Sequence, residues 1–204
     1  MKRILSILLL GWLFAAPAFA YQAYTPAGIV DVGVTTHEAF KSTYSVTITG
    51  ITPVATATDV LVVTGSATKT VRITRVEIST AATAAGSINL YLYKRTAVNT
   101  GGTAAAQSIV LHDSADTAAT AAANLYSVNA TGLGTGIAVR TARYSFPAVA
   151  TSTFAVIPWV QQFGVTSDKT VVLRGVAQSL AVGFAGQVIP AGMVLNVAVE
   201  WTEE

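Results

Sequence analysis

Leu195-Asn196-Val197-Ala198-Val199-Glu200-Trp201 is the stretch that decides the fold. Every second residue is large and apolar. Successive side chains of a strand point to opposite faces, so this alternation describes a strand with one face buried. The same period of two recurs upstream. Tyr44, Val46 and Ile48 alternate with Ser45, Thr47 and Thr49. Ile88, Leu90 and Leu92 share one face of 87–94, while Asn89, Tyr91 and Tyr93 share the other. Shorter runs at Val60–Val63, Lys169–Arg174 and Leu180–Phe184 read as further strands, as does Ile137–Pro147, with Val139, Tyr144 and Phe146 inward. Between Val71/Ile73 and Val76/Ile78 the phase slips by one residue near Thr74-Arg75 with no turn residue present. That pattern predicts a β-bulge, which adds one residue to one strand. Pro158 and Trp159 make 154–164 an edge strand or a loop, because proline cannot donate to a ladder.

Nine or ten short strands, with Pro53, Gly65-Ser66 and Pro190-Ala191-Gly192 as turns, predict an all-β chain. The absence of a βαβ rhythm excludes a purely parallel α/β fold, and the expected architecture is an antiparallel β-sandwich of jelly-roll type. Residues 96–135 interrupt the pattern. They read as a long connection with short strands near 108–112 and 124–129. The alanine-rich run 117–123 is given a turn or two of helix, from alanine's propensity alone. The closing Thr202-Glu203-Glu204 is charged and expected to be exposed.

The N-terminus reads differently. Met1-Lys2-Arg3, the apolar run Ile4–Phe14 and Ala18-Phe19-Ala20 have the three-part layout of a secretory leader. The run is too short to span a bilayer, which takes about 20 apolar residues. The expected organisation is therefore a signal peptide at 1–20, an extended arm at 21–42 and one β-sandwich domain at 43–204. Of 12 Lys+Arg and 10 Asp+Glu, Lys2 and Arg3 fall in the leader, so the remainder is neutral. The basic residues form no run, and nucleic acid is not an expected partner. With no cysteine, the domain must be held by core packing or assembly rather than by disulfides.

The motifs that carry chemistry are sparse. His112-Asp113 with Asp116 could offer carboxylates to a divalent cation, but the spacing lacks the glycine and distal glutamate of a calcium loop. An Asx-type turn is the simpler reading. His37 and His112 are the only histidines, and no zinc motif includes them. No G-x-S-x-G elbow occurs, and Gly132-x-Gly134-x-Gly136 precedes a strand pattern, so it is read as a flexible turn rather than a phosphate loop. Asn129-Ala130-Thr131 matches a glycosylation sequon. Arg72, Arg75, Arg140, Arg143 and Arg174 lie on separate strands, where arginine pairs with carboxylates across a sheet or a subunit boundary. Tyr91 and Tyr93, with Lys94 and Arg95, form an outward aromatic-basic stripe. That stripe reads first as an interface or packed face, and second as a platform for sugar rings, with Trp159 as a further candidate. No catalytic residue, cofactor or metal is expected.

Six stretches carry a family resemblance: Val71–Val76, Leu92–Ala97, Asn99–Thr103, His112–Asp116, Val172–Gly175 and Val199–Glu204. In order and spacing they resemble tailed-bacteriophage virion proteins of the head-decoration or head-fibre kind. The resemblance runs from about residue 58 to the C-terminus. It implies a non-enzymatic β-sandwich that assembles, often as a trimer, on a capsid surface. The other expectation is a secreted carbohydrate-binding or adhesive module recognising a cell-surface glycan. Localisation follows as exported by the leader, or on the virion surface.

Overall fold

A computed structural model describes residues 41–147, 154–155, 158–165 and 169–204. The leader, nearly all of the arm, and His37 lie outside these residues. The described chain has no helix and thirteen strands. They are β1 (Thr43–Ile51), β2 (Thr58–Thr64), β3 (Thr70–Ala82), β4 (Gly86–Arg95), β5 (Thr103–Ala106), β6 (Val110–Leu111), β7 (Ala122–Val128), β8 (Gly136–Phe146), β9 (Phe154–Ala155), β10 (Trp159–Gln162), β11 (Val171–Arg174), β12 (Ser179–Phe184) and β13 (Val194–Glu203). Strands of two to four residues, such as β5, β6 and β9, are too short to show an alternation, and they raise the number above the nine or ten legible in the sequence.

The strands form two antiparallel sheets. The first runs β10-β3-β13-β1-β6, with β9 and β11 also pairing β3. The second runs β5-β7-β2-β12-β4-β8. The alternating residues line the space between them. Tyr44, Ile73, Ile78, Val197 and Trp201 of the first sheet and Ile88, Leu90, Leu92, Leu180 and Phe184 of the second belong to one buried cluster. Tyr44 and Trp201 are direct cross-strand partners, with ring centroids 6.1 Å apart. Aromatic pairs of this kind add stabilisation beyond their area.

The predicted bulge is present. Glu200 pairs with Arg75 and Trp201 with Ile73, so Thr74 is the extra residue. The other edge of β3 changes partner at the same place: β11 covers Thr70–Ile73 and β10 covers Arg75–Ile78. Thr74's carbonyl accepts from the Phe163 N–H, at 2.9 Å. β10, just after Pro158, is an edge strand as its proline requires.

Two sequence expectations fail for one reason. The run 117–123 is not helical, and Glu203 is buried, at 5% exposure. Glu203's carboxylate accepts from the backbone N–H of Thr120 and Ala121, from the Thr120 hydroxyl and from the Trp201 indole. Ala122 and Ala123 are paired with Thr64 and Val63 in the second sheet, so their backbone groups are committed to a strand and not to a helical turn. Tertiary bonds here override alanine propensity.

Candidate functional site

The four residues singled out on the sequence do not form one surface. Tyr91, Tyr93 and Arg95 lie on β4 in the second sheet, and Trp159 lies on β10 in the first. Trp159 is half-buried and packs against the core cluster. Arg95 is not part of an outward stripe: it is 6% exposed and bound to a fully buried carboxylate, Asp59.

That pair is built on small residues. Asp59 is on β2 and Arg95 on β4, and β12 lies between them. Opposite Tyr93 and Tyr91, β12 carries Ala181 and Gly183. With no bulky side chain between them, the two charges meet across the strand. Arg95 Nε donates to Asp59 Oδ2 at 2.9 Å and Nη2 to Oδ1 at 2.6 Å, a bidentate geometry. A Cβ built on Gly183 would lie 2.8 Å from Asp59 Oδ1 and 2.7 Å from the Thr58 carbonyl. Gly183→Ala is therefore expected to cost about 2 kcal/mol through overpacking, read as a lowered midpoint in urea denaturation. An unchanged midpoint would mean that β12 yields freely.

The 96–135 connection covers this pair. Asn99 Nδ2 donates to Asp59 Oδ2 at 2.9 Å, the Gly134 carbonyl accepts from Arg95 Nη1 at 2.9 Å, and the Gly134 N–H donates to Asn99 Oδ1 at 2.8 Å. Nearby, the Thr58 hydroxyl donates to Oδ1 of Asn129, the sequon asparagine, at 3.0 Å. The glycine-rich stretch is consequently a close-packed return rather than a flexible turn. A Cβ on Gly134 would fall 1.9 Å from the Ala97 carbonyl oxygen.

Arg95 also stacks its guanidinium 4.4 Å from the centre of the Tyr93 ring. Tyr91 stacks on Tyr93 with centroids 5.3 Å apart and planes 17° from parallel. The strand's period of two sets the order Tyr91, Tyr93, Arg95 along one face. Tyr93 is thus a middle rung between a ring and a cation, and neither of its faces is left for a sugar. Burial, then the neighbouring Tyr91, push the Tyr93 phenol above its ordinary range, partly offset by Arg95. Gln187 extends this face beyond the end of β12. Its side-chain amide accepts from the Asn89 N–H at 2.8 Å and donates to the Asn89 carbonyl at 2.7 Å.

The remaining polar candidates resolve into structure. Asp113 Oδ1 accepts from the Ala115 N–H at 2.9 Å, the Asx turn its spacing suggested. Asp116 accepts from the Ser42 hydroxyl at 2.8 Å. Among the described residues no three of His, Asp and Glu come together around a metal position. Arg75 bridges Glu77 and Glu200, and Arg72 binds Glu204. Arg140 instead lies over the Phe163 ring, and Arg143 donates to the Ser87 hydroxyl. Arg174 has no carboxylate within ion-pair distance among the described residues.

Sequence reasoning missed Asp59, Asn99 and Glu203. The signal that could have found Asp59 is its place inside the apolar strand 58–64. A charge is buried in such a strand only when paired. Compared with models of protein families, with curated proteins and with solved structures, the chain matches none.

Proposed function

We propose that this chain is a non-enzymatic structural subunit, a jelly roll that assembles with copies of itself on a virion surface. The jelly-roll reading is supported by the strand order. β1-β13-β3-β10 faces β2-β12-β4-β8, and successive main strands alternate between the sheets except for β4 and β8, which are neighbours in the second, the arrangement of two Greek keys. β5, β6 and β7 are then an insertion between β4 and β8 that widens both sheets, β6 beside β1 and β7 beside β2.

The observation that carries the assembly reading is the edge of the second sheet. β5, Thr103–Ala106, pairs only with β7, and all four of its residues are exposed. It holds no charge and no proline, and beyond the register shift at Thr103/Ala104 its pairing with β7 is regular. Lysine and proline are devices that keep such edges from pairing, because unpaired backbone groups recruit another strand, and Ala104–Ala106 have neither. The resemblance to phage head-decoration and head-fibre proteins supplies the setting, and a leader at 1–20 would supply export. Both faces of the Tyr93 ring are occupied, by Tyr91 and by Arg95, which favours a packing role for this rung of β4 over a glycan platform.

Light scattering on the purified chain is expected to return a multiple of the protomer mass at micromolar concentration. A stable monomer there would sink the proposal.

A further inference from the structure

The charges of this domain are distributed unevenly between its two ends. Among the described residues, three loops meet at one end: 52–57 between β1 and β2, 83–85 between β3 and β4, and 185–193 between β12 and β13. None contains Asp, Glu, Lys, Arg or His. At the opposite end lie Lys41, Lys69, Arg72, Glu203 and Glu204, joined in ion pairs. The uncharged end displays aliphatic side chains: Val188 is 85% exposed and Val54 42%.

The uncharged loops are also braced against one another. The Gln187 N–H donates to the Ala55 carbonyl at 2.9 Å and the Thr83 N–H to the Ala191 carbonyl at 3.1 Å, while within 185–193 the Met193 N–H donates to the Pro190 carbonyl at 3.3 Å. The Thr83 hydroxyl adds a second bond to the Ala191 carbonyl, at 3.0 Å. A surface fixed in this way has little conformational entropy left to lose on docking. Depletion of charge is what marks the centre of an interface.

We infer that this end is a self-association surface, on which the Val54 and Val188 loops of one copy meet the same loops of a second copy about a two-fold axis. The inference rests on the assembly reading above and names one of its contacts. Charge chooses the occupant. In a two-fold contact the same patch meets itself, residue i against j and j against i, so a patch of one sign would repel itself, and these three loops carry no charge. A head-to-tail contact would instead press the valine loops onto the lysine and glutamate end, stripping water from ions that gain no partner. The lack of any cation at the loops removes the attraction that holds protein surfaces to anionic lipid. The loops are short, so the contact belongs with small, concentration-dependent interfaces.

The experiment measures the mass of the full chain by light scattering across a dilution series reaching about 50 μM, where contacts of this size are populated. The variants are Val188→Asp, Val54→Asp and Val176→Asp, with folding checked by thermal melting. Val176 is 59% exposed in the turn 175–178 at the opposite end, and serves as the control. The expected result is that one concentration-dependent step in mass is lost in either tip variant, its apparent dissociation constant raised about a hundredfold by two like charges brought together, while assembly through the β5 edge and the behaviour of Val176→Asp are unchanged. A mass profile identical to the wild type in both tip variants would overturn this surface while leaving the assembly reading intact. A wild-type chain that is monomeric at every concentration would overturn both. Sedimentation with phosphatidylcholine vesicles, lost in Val188→Asp, would assign the loops to a lipid surface and overturn the second copy as occupant.

Discussion

Asp59→Ala is expected to destabilise the domain by about 3–5 kcal/mol, the cost of removing one partner from a buried ion pair. The variant keeps the Arg95 guanidinium buried, with only the Gly134 carbonyl and the Tyr93 ring to face. The pair itself adds little relative to an apolar substitute, because desolvating two charges offsets most of their attraction. The test is therefore a comparison. The double variant Asp59→Ala/Arg95→Met removes both charges and is expected to recover most of the loss. For a chain of this size 1 kcal/mol moves the melting temperature by about 2–4 °C, so the single variant should melt about 6–20 °C below the wild type. Amide exchange should quicken first at Thr96–Thr100 and Gly132–Thr135, which the pair and Asn99 hold down. A single variant that melts within about 2 °C of the wild type would mean that water reaches the pair and that the connection is held by other bonds.

This pair also shows where sequence reading stops. Period-two alternation found the long strands because each buries one face against the opposite sheet, and the phase slip found the bulge at Thr74 because a slip has no other local cause. Asp59 and Arg95 are 36 residues apart on different strands. What brings them together is the return of β12 between β2 and β4, a long-range fact that no local pattern encodes. Arg95 sat in an apparent aromatic-basic stripe because alternation gives the face of a side chain and not what covers that face. The covering comes from the 96–135 connection. Its alanines and glycines carry no periodic signal, so β5 and the close approach of Gly134 to Ala97 were illegible.

Glu203 failed for the opposite reason: a charge at the penultimate position reads as solvent-facing on composition alone. Its substitution yields a sharper test, since protonation mimics it. Glu203→Gln keeps the shape but turns one oxygen into a donor. That donor must then face the donors already present, the N–H groups of Thr120 and Ala121 and the Trp201 indole. The expected loss at neutral pH is about 2–3 kcal/mol, typical of hydrogen bonds to a charged group. Burial pushes the Glu203 carboxyl up, and the bonds from Thr120, Ala121 and Trp201 together outweigh it, so its pKa lies below the ordinary value. A depressed carboxyl pKa contributes stability in full above the unfolded pKa and loses it as pH falls through the folded one. Glu204, held down by bonds from Lys41 and Arg72, contributes in the same acid window but is common to both proteins. The difference between wild type and Glu203→Gln should thus stay constant through neutral pH and narrow once the pH drops below about 4. Urea denaturation at a series of pH values reads it directly. A difference that persists undiminished at pH 2, or one that never appears at pH 7, would show that Glu203 does not hold the alanine-rich connection against the sandwich as an ionised group.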